Sequence, residues 1–257
     1  MGSAGNNRIS HIERARRQCQ RRTWIDSPYD SRKHDAPVYN KDSNSVTTSS
    51  ISSEKIRYLL LKGADPLAKS KSGMTLLHYA AYRGLDWFVE DLIAAKMDPN
   101  ASDQNGWTPL HSATSGGHKN TVEILIRKGG NPKVKSEEGY TLIHIAAGHG
   151  GANLDLIPFL IQNGANINAK LFDNGETPLH IAVNKNDPQI IRLLLANGAL
   201  PNIYDSGTGK KHSIATQCVT FNFIECAKIL LEYGADPNIK DGFNKESAAE
   251  LAKRMGR

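Results

Sequence analysis

Residues 106–132 read GWTPLHSATSGGHKNTVEILIRKGGNP, and this stretch contains one complete pair of predicted helices. Thr108 is suited to cap the first helix, and Pro109 follows at the first helical position, where a missing N–H costs nothing. Leu110 and Ala113 stand three residues apart and therefore share a face, which the pattern assigns to the core. The sequence predicts a short helix that begins directly after Thr108.

The second half of the same stretch predicts a second helix. Val122, Leu125 and Ile126 recur at helical spacing and form an apolar stripe. Gly129 follows where glycine commonly ends a helix by adopting a left-handed backbone. Because one such pair of helices is too small to bury its apolar face, a stable core requires neighbouring pairs.

The opening motif occurs four times, each time from a glycine to a histidine. The copies are Gly73–His78, Gly106–His111, Gly139–His144 and Gly175–His180. Successive histidines lie 33, 33 and 36 residues apart. This pattern resembles the ankyrin repeat over residues 51–257. The resemblance implies an all-α solenoid of helix-turn-helix units joined by β-hairpin loops. Its expected parts are a half repeat (51–72), five repeats (73–105, 106–138, 139–174, 175–210 and 211–243) and a C-terminal capping helix (244–257).

Several segments depart from the repeat. The third repeat is three residues longer than the others, and we assign the insertion to Gly150-Gly151-Ala152. Pro158 is compatible with the second helix of that repeat only if the helix begins near Asp155. Ser213 replaces threonine at the opening of the fifth repeat. Asp91 stands where the other repeats are apolar, and the sequence does not explain it.

Both ends of the array are also irregular. Residues 54–61 predict a second helix, but no first helix is recognisable before it. A closing helix is expected over about residues 245–255, with the small and charged side chains of a cap.

The four motif histidines are candidates for catalysis or metal binding, but their spacing along the array argues against both. Histidines in successive repeats lie about 10 Å apart, so they cannot share a metal ion. The resemblance implies a structural role, in which each side chain ties its hairpin to the neighbouring backbone. The segment 206–211 lacks the first glycine and the final Ser or Thr of a phosphate loop. Cys218 and Cys226 lie in apolar helical stretches and are expected to be packed thiols. We therefore predict no enzyme activity, cofactor or metal site.

Charge is concentrated near the N-terminus. Residues 8–22 contain six arginines and one acid, whereas residues 51–257 contain 23 basic and 21 acidic residues. The arginines that define this basic arm include Arg14, Arg16, Arg17, Arg21 and Arg22. Three interpretations stay open: a flexible tail, a contact for nucleic acid or an acidic protein, and a nuclear or mitochondrial targeting sequence. Residues 1–50 as a whole are basic and then polar, and we expect no fixed fold there.

Candidate binding residues come from positions on the hairpins. The residue after each opening glycine is usually variable and solvent-facing in the family that the chain resembles, and aromatic side chains there favour a protein partner. Met74, Trp107, Tyr140 and Glu176 occupy this position. Further candidates are Trp87, where the family usually has an acidic surface residue, and the pair Leu171 and Phe172 at a hairpin tip, and these are expected to be exposed as well. Trp107 and Tyr140 occupy equivalent positions one repeat apart and are expected to form one aromatic ridge.

The predicted function is non-catalytic recognition of another protein through hairpin tips and the concave face. Two alternatives remain: a nuclear or nucleic-acid-associated regulator that uses the basic arm, and an effector of an intracellular microbe. No apolar run reaches 18 residues, and the first 25 residues show no secretory pattern. We expect a monomeric array without membrane contact, in the cytoplasm, the nucleus or both.

Overall fold

The computed structural model describes residues 38–40, 45–47, 68–149, 154–203, 213–240, 242 and 245–256. Strand β1 (Val38–Asn40) pairs antiparallel with β2 (Ser45–Thr47), with Tyr39 opposite Val46. These strands lie within the segment for which we expect no fixed fold, and the rest of that segment lies outside the described residues. The predicted helix over residues 54–61 also lies outside them.

The chain divides into two compact units, residues 1–130 and 131–257. The described helices of the first unit are α1 (Leu76–Tyr82), α2 (Asp86–Ala94), α3 (Pro109–Ser115) and α4 (Lys119–Arg127). The first helices α1 and α3 pack together, and the second helices α2 and α4 pack together. Two complete helix pairs therefore share one core in this unit.

The second unit contains seven described helices. They are α5 (Leu142–Gly148), α6 (Leu156–Gln162), α7 (Pro178–Asn184), α8 (Pro188–Ala196), α9 (Ile214–Phe221), α10 (Ile224–Glu232) and α11 (Ala248–Arg254). First helix α7 packs against α5 and α9, second helix α8 packs against α10, and α11 packs against α9. The all-α fold of repeated helix pairs is confirmed in each unit.

The core consists of the apolar positions that the repeat motif predicts. Leu110 and Ala113 are fully buried, as are Val122 and Leu125 in the second helix. Ile126 is only half-buried, because it lies at the edge of the stripe. The left-handed glycine at the end of the second helix is confirmed at Gly129, with φ of 98°. Each predicted helix pair thus buries one apolar seam.

Helix starts follow the predicted capping chemistry. Helix α6 begins at Leu156, directly after Asp155. Pro158 therefore lies in the first turn, where a helix tolerates proline. Ser213 caps α9 and accepts a hydrogen bond from the backbone N–H of Thr216 at 3.1 Å. The closing helix α11 begins at Ala248, three residues later than predicted, because Ser247 supplies its cap.

Asp91 has a simple physical explanation in the structure. Its side chain lies half-buried in α2, and the apolar residues at the equivalent positions, Ile124, Phe159 and Leu193, are half-buried as well. A position with partial access to water tolerates a carboxylate, since the charge keeps part of its hydration.

Candidate protein-binding surface

The histidine of each opening motif connects one hairpin to the next. In the second unit, the backbone N–H of Thr141 donates to Nδ1 of His144 at 3.2 Å. Because Nδ1 accepts this bond, the proton of the neutral ring lies on Nε2, which donates to the Glu176 carbonyl oxygen at 3.2 Å. His78 makes the same contact with the Trp107 carbonyl oxygen in the first unit, at 3.0 Å. The structural role predicted for the histidines is confirmed at these two residues.

His180 has the same capping contacts, but its outer nitrogen differs. Among the described residues, Nε2 of His180 is buried and has no hydrogen-bond partner. The equivalent carbonyl in the following repeat would belong to residue 212, which lies outside the described part of the chain. Burial lowers the pKa of both His144 and His180 to about 4, so both rings are neutral near pH 7.

Each hairpin turn is closed by a side chain as well as by backbone. In the hairpin between the second and third repeats, Ser136 N–H donates to the Tyr140 carbonyl oxygen at 2.9 Å, and Ser136 Oγ accepts from Tyr140 N–H at 3.1 Å. In the hairpin between the first and second repeats, Asp103 accepts from Trp107 N–H at 2.8 Å. These turns fix the backbone of the residue that follows the glycine.

The expectation that Leu171 is exposed is wrong. Leu171 occupies the position of Ser136, since its N–H donates to the Glu176 carbonyl oxygen at 2.9 Å, and its side chain is only 6% exposed. A leucine cannot accept a hydrogen bond there, and Asn174 Oδ1 accepts from Glu176 N–H at 2.9 Å instead. The turn contains one residue more than its counterparts. One of the three extra residues of the third repeat therefore lies in this hairpin, so the assignment of all three to Gly150-Gly151-Ala152 is wrong. Residues 150–153 themselves lie outside the described part.

Phe172 is the most exposed of the predicted binding residues. Its side chain is 62% exposed, whereas its backbone N–H donates to the Glu138 carbonyl oxygen at 3.0 Å. A Cβ at Gly139 would lie 3.1 Å from both Cγ and the backbone nitrogen of Phe172, and Gly139 has a φ of 89°, so the position favours glycine. Lys135 Nζ lies 5.5 Å from the centre of the Phe172 ring. The tip therefore presents an apolar ring on a backbone held by the preceding hairpin.

Glu176 is half-buried, and side-chain amides hold its carboxylate. Asn174 donates to Oε2 at 2.9 Å, and Asn184 donates to Oε1 at 3.0 Å. Gln217 in turn donates to Asn184. Since each carboxylate oxygen can accept two hydrogen bonds, Glu176 keeps acceptor capacity toward a partner.

Tyr140 is half-buried rather than solvent-facing. Its ring meets the His144 ring edge-on, with the centres 6.1 Å apart. Burial raises the pKa of the Tyr140 hydroxyl, and the carboxylates of Glu138 and Glu176 raise it further. Tyr140 is thus a neutral phenol with two carboxylates nearby, on the same hairpins as Phe172.

The candidates of the first unit are half-buried as well. Met74 N–H donates to Ser70 Oγ at 3.0 Å, and the Trp107 ring lies 5.6 Å from the His111 ring. Trp87 packs 5.1 Å from Phe88. Because Trp107 and Tyr140 belong to different units, the aromatic ridge stays a prediction.

Exposed apolar residues that the sequence analysis missed lie at the end of the second unit. Phe221 stacks on Phe223 with ring centres 5.6 Å apart, and Phe221, Ile224 and Leu231 are exposed. Lys185, which directly follows α7, is equivalent to Phe221, and Pro188, the first residue of α8, is equivalent to Ile224. A position-by-position comparison of the repeats would have revealed this change from the sequence.

Other groups that suggested chemistry are buried or undescribed. The thiols of Cys218 and Cys226 are buried, as predicted, and burial raises the pKa of Cys218 to about 12. The arginines of the basic arm, Cys19 and residues 206–211 lie outside the described residues. Among the described residues no cluster of His, Cys, Asp or Glu could hold a metal ion. None of the described helices is long and apolar enough to span a bilayer.

Paired short helices, histidine-tied turns and a period near 33 residues define a helical repeat protein. The family described as "Ankyrin repeats (3 copies)" matches this chain over residues 46–136, 77–170, 120–205 and 143–241. The chain belongs to the ankyrin-repeat family, whose members are generally non-enzymatic protein-interaction modules.

Three curated relatives illustrate the range of proteins that share these repeats. The chain is 31% identical over 98 residues to the Nuclear factor NF-kappa-B p105 subunit of Gallus gallus, covering 38% of this chain and 10% of that protein. It is 33% identical over 103 residues to Ankyrin repeat and SOCS box protein 16 of Homo sapiens, covering 40% and 21%. It is 42% identical over 89 residues to a putative ankyrin repeat protein of Fowlpox virus, covering 34% and 25%. The chain thus spans a quarter or less of each of these relatives.

Proposed function

We propose that this chain is a non-catalytic recognition module that binds a partner protein through the hairpin tips of its third and fourth repeats. The binding surface consists of Phe172 at the centre, with Tyr140 and Glu176 beside it. The observation that carries the proposal is the exposed Phe172 ring on a fixed turn. An aromatic side chain on a rigid turn loses little conformational entropy on binding and supplies a large apolar area.

The polar groups around Phe172 would give this surface specificity. Glu176 is held in place by Asn174 and Asn184, so a partner meets an oriented acceptor rather than a mobile chain. Fixed polar groups around an apolar anchor are common at protein interfaces, where water is excluded from the anchor.

The experiment is a comparative pull-down with the full chain as bait. Proteins retained by the wild-type chain and by Leu200→Ala, but lost with Phe172→Ala, are bound through the proposed surface. Leu200 is a suitable control because it is also exposed and lies on a different loop. If Phe172→Ala retains the same proteins as the wild-type chain, the surface is assigned wrongly.

The nuclear or nucleic-acid-associated role, the role as a microbial effector and the cytoplasmic or nuclear location stay predictions. The first rests on the arginines of residues 8–22.

A further inference from the structure

Second helices of successive repeats contact one another in a fixed register. In the first unit, Asp86, the first residue of α2, accepts a hydrogen bond from Thr121, the third residue of α4. Glu90, the fifth residue of α2, pairs with Arg127, the ninth residue of α4, at 3.2 Å. The first and fifth residues of a second helix therefore face the second helix that follows.

The second unit repeats this register with the charges exchanged. Arg192, the fifth residue of α8, pairs with Glu232, the ninth residue of α10, at 2.8 Å. Leu195, the eighth residue of α8, is only 6% exposed. Since the eighth residue lies one turn beyond the fifth, the first, fifth and eighth residues form one flank of the helix.

The same flank of α10 is open. Its first, fifth and eighth residues are Ile224, Lys228 and Leu231. Ile224 is 60% exposed and Leu231 is 51% exposed. Lys228 is exposed too, and none of the ion pairs found in the described part of the chain includes it. The last described helix, α11, packs against the first helix α9.

We propose that this flank of α10 binds an amphipathic helix of a partner protein, in the place that a following second helix would take. The helix presents an apolar stripe to Ile224 and Leu231, and an Asp or Glu of its last turn to Lys228. The position of the carboxylate follows from the register, because residue five pairs with residue nine in both described pairs. This surface is separate from Phe172 and does not depend on the function proposed above.

The required carboxylate favours a partner over a second copy of this chain. The ninth residues of α2, α4, α8 and α10 are Ala94, Arg127, Ala196 and Glu232. Among these described helices only α10 ends in an acid. The side of α10 that carries Glu232 already packs against α8, so a second copy cannot present that acid to Lys228.

The test uses a fluorescent, helix-stapled peptide with the sequence of residues 224–234 and Cys226 replaced by alanine. The peptide ends its helix with Glu232 and so supplies the expected pattern. We expect it to bind the full chain, with affinity at least about tenfold weaker for Leu231→Asp. Lys228→Glu weakens binding of this peptide by about fivefold. A peptide carrying Glu232→Lys shows the opposite order and binds Lys228→Glu more tightly than the wild-type chain. Fluorescence anisotropy measures the affinities.

Two controls keep the result interpretable. Leu200→Asp introduces the same charge at another exposed leucine and leaves peptide binding unchanged, and thermal melts verify that each variant is folded. Absence of peptide binding, or equal binding to the wild-type chain and Leu231→Asp, overturns the proposal. Self-association that Leu231→Asp abolishes, without peptide binding, assigns the flank to a second copy and also overturns it. Phe172→Ala retains peptide binding, so a failure here is distinct from a failure of the tip surface.

Discussion

His144 combines three structural contacts in one neutral side chain. It caps its own helix through Nδ1, ties its hairpin to the next through Nε2, and packs against Tyr140. Protonation of Nδ1 would break the contact with Thr141 N–H, because a protonated nitrogen cannot accept. The buried ring therefore makes the fold sensitive to acid.

This sensitivity predicts how stability depends on pH. The folded pKa of His144 is about 4, below its ordinary value of 6.5. The stabilisation is therefore complete above pH 6.5 and is lost as the pH falls toward 4. We expect the free energy of unfolding to fall over that window by up to about 1.4 kcal/mol per pH unit for each such histidine.

His144→Gln should make the free energy of unfolding depend less steeply on pH, with about one proton fewer taken up on unfolding in this window. The reason is that glutamine still accepts a hydrogen bond at the third helical position but does not titrate. The measurement is urea unfolding at several pH values, with the exposed His149→Gln as the matched control. Identical profiles for the wild-type chain and His144→Gln would show that His144 does not titrate on unfolding.

Among the helices, the second helices differ in how their first turns are satisfied. Asp187 caps α8 and accepts from the backbone N–H groups of Gln189 and Ile190, both at 3.1 Å. Asp155 stands at the same place before α6, but its side chain makes no capping hydrogen bond. The same residue type thus serves two helices differently, because the backbone of Asp187 is extended and that of Asp155 is helical.

The two aspartates provide a matched pair of substitutions. Asp187→Ala should lower the free energy of unfolding by about 1 kcal/mol, as for other capping residues. Asp155→Ala should change it by less than about 0.5 kcal/mol, because no capping bond is lost. Denaturant melts of both variants test this, and equal losses would contradict the assignment of the caps.

For the whole molecule, the repeat pattern predicts the first and second helices because each repeat uses the same chemistry. A threonine cap, a buried apolar residue before the histidine and a terminal glycine are local signals. That apolar residue is leucine in three of the four copies and Ile143 in the other, and it is buried in all four. The hairpin between the third and fourth repeats was less predictable. The sequence predicts an exposed position for Leu171 because the extra residue in its turn is not recognisable. With that residue, Asn174 instead of residue 171 accepts the hydrogen bond from Glu176 N–H. Exposure of Ile224 and Leu231 depends on which helix follows α10, and no local pattern contains that information.

The shared core also predicts the energetic consequence of damage to one repeat. Leu110 is fully buried, and its helix α3 packs against α1. Leu110→Ala should lower the free energy of unfolding by about 2–5 kcal/mol. Amide hydrogen exchange should also quicken in α1, because neighbouring repeats stabilise each other. Leu200→Ala, at an exposed site, should cost less than about 0.5 kcal/mol. A loss that small for Leu110→Ala would mean that the repeats are aligned wrongly.

The central claim is that the tip around Phe172 recognises a protein, and an affinity measurement tests it most directly. Isothermal titration calorimetry measures the affinity of the partner found by the pull-down for the wild-type chain, for Phe172→Ala and for Leu200→Ala. A central anchor contributes 2 kcal/mol or more, so Phe172→Ala should weaken binding by about 30-fold or more while its melting temperature stays unchanged. Leu200→Ala should bind like the wild-type chain. Equal affinity of folded Phe172→Ala and the wild-type chain would contradict the account.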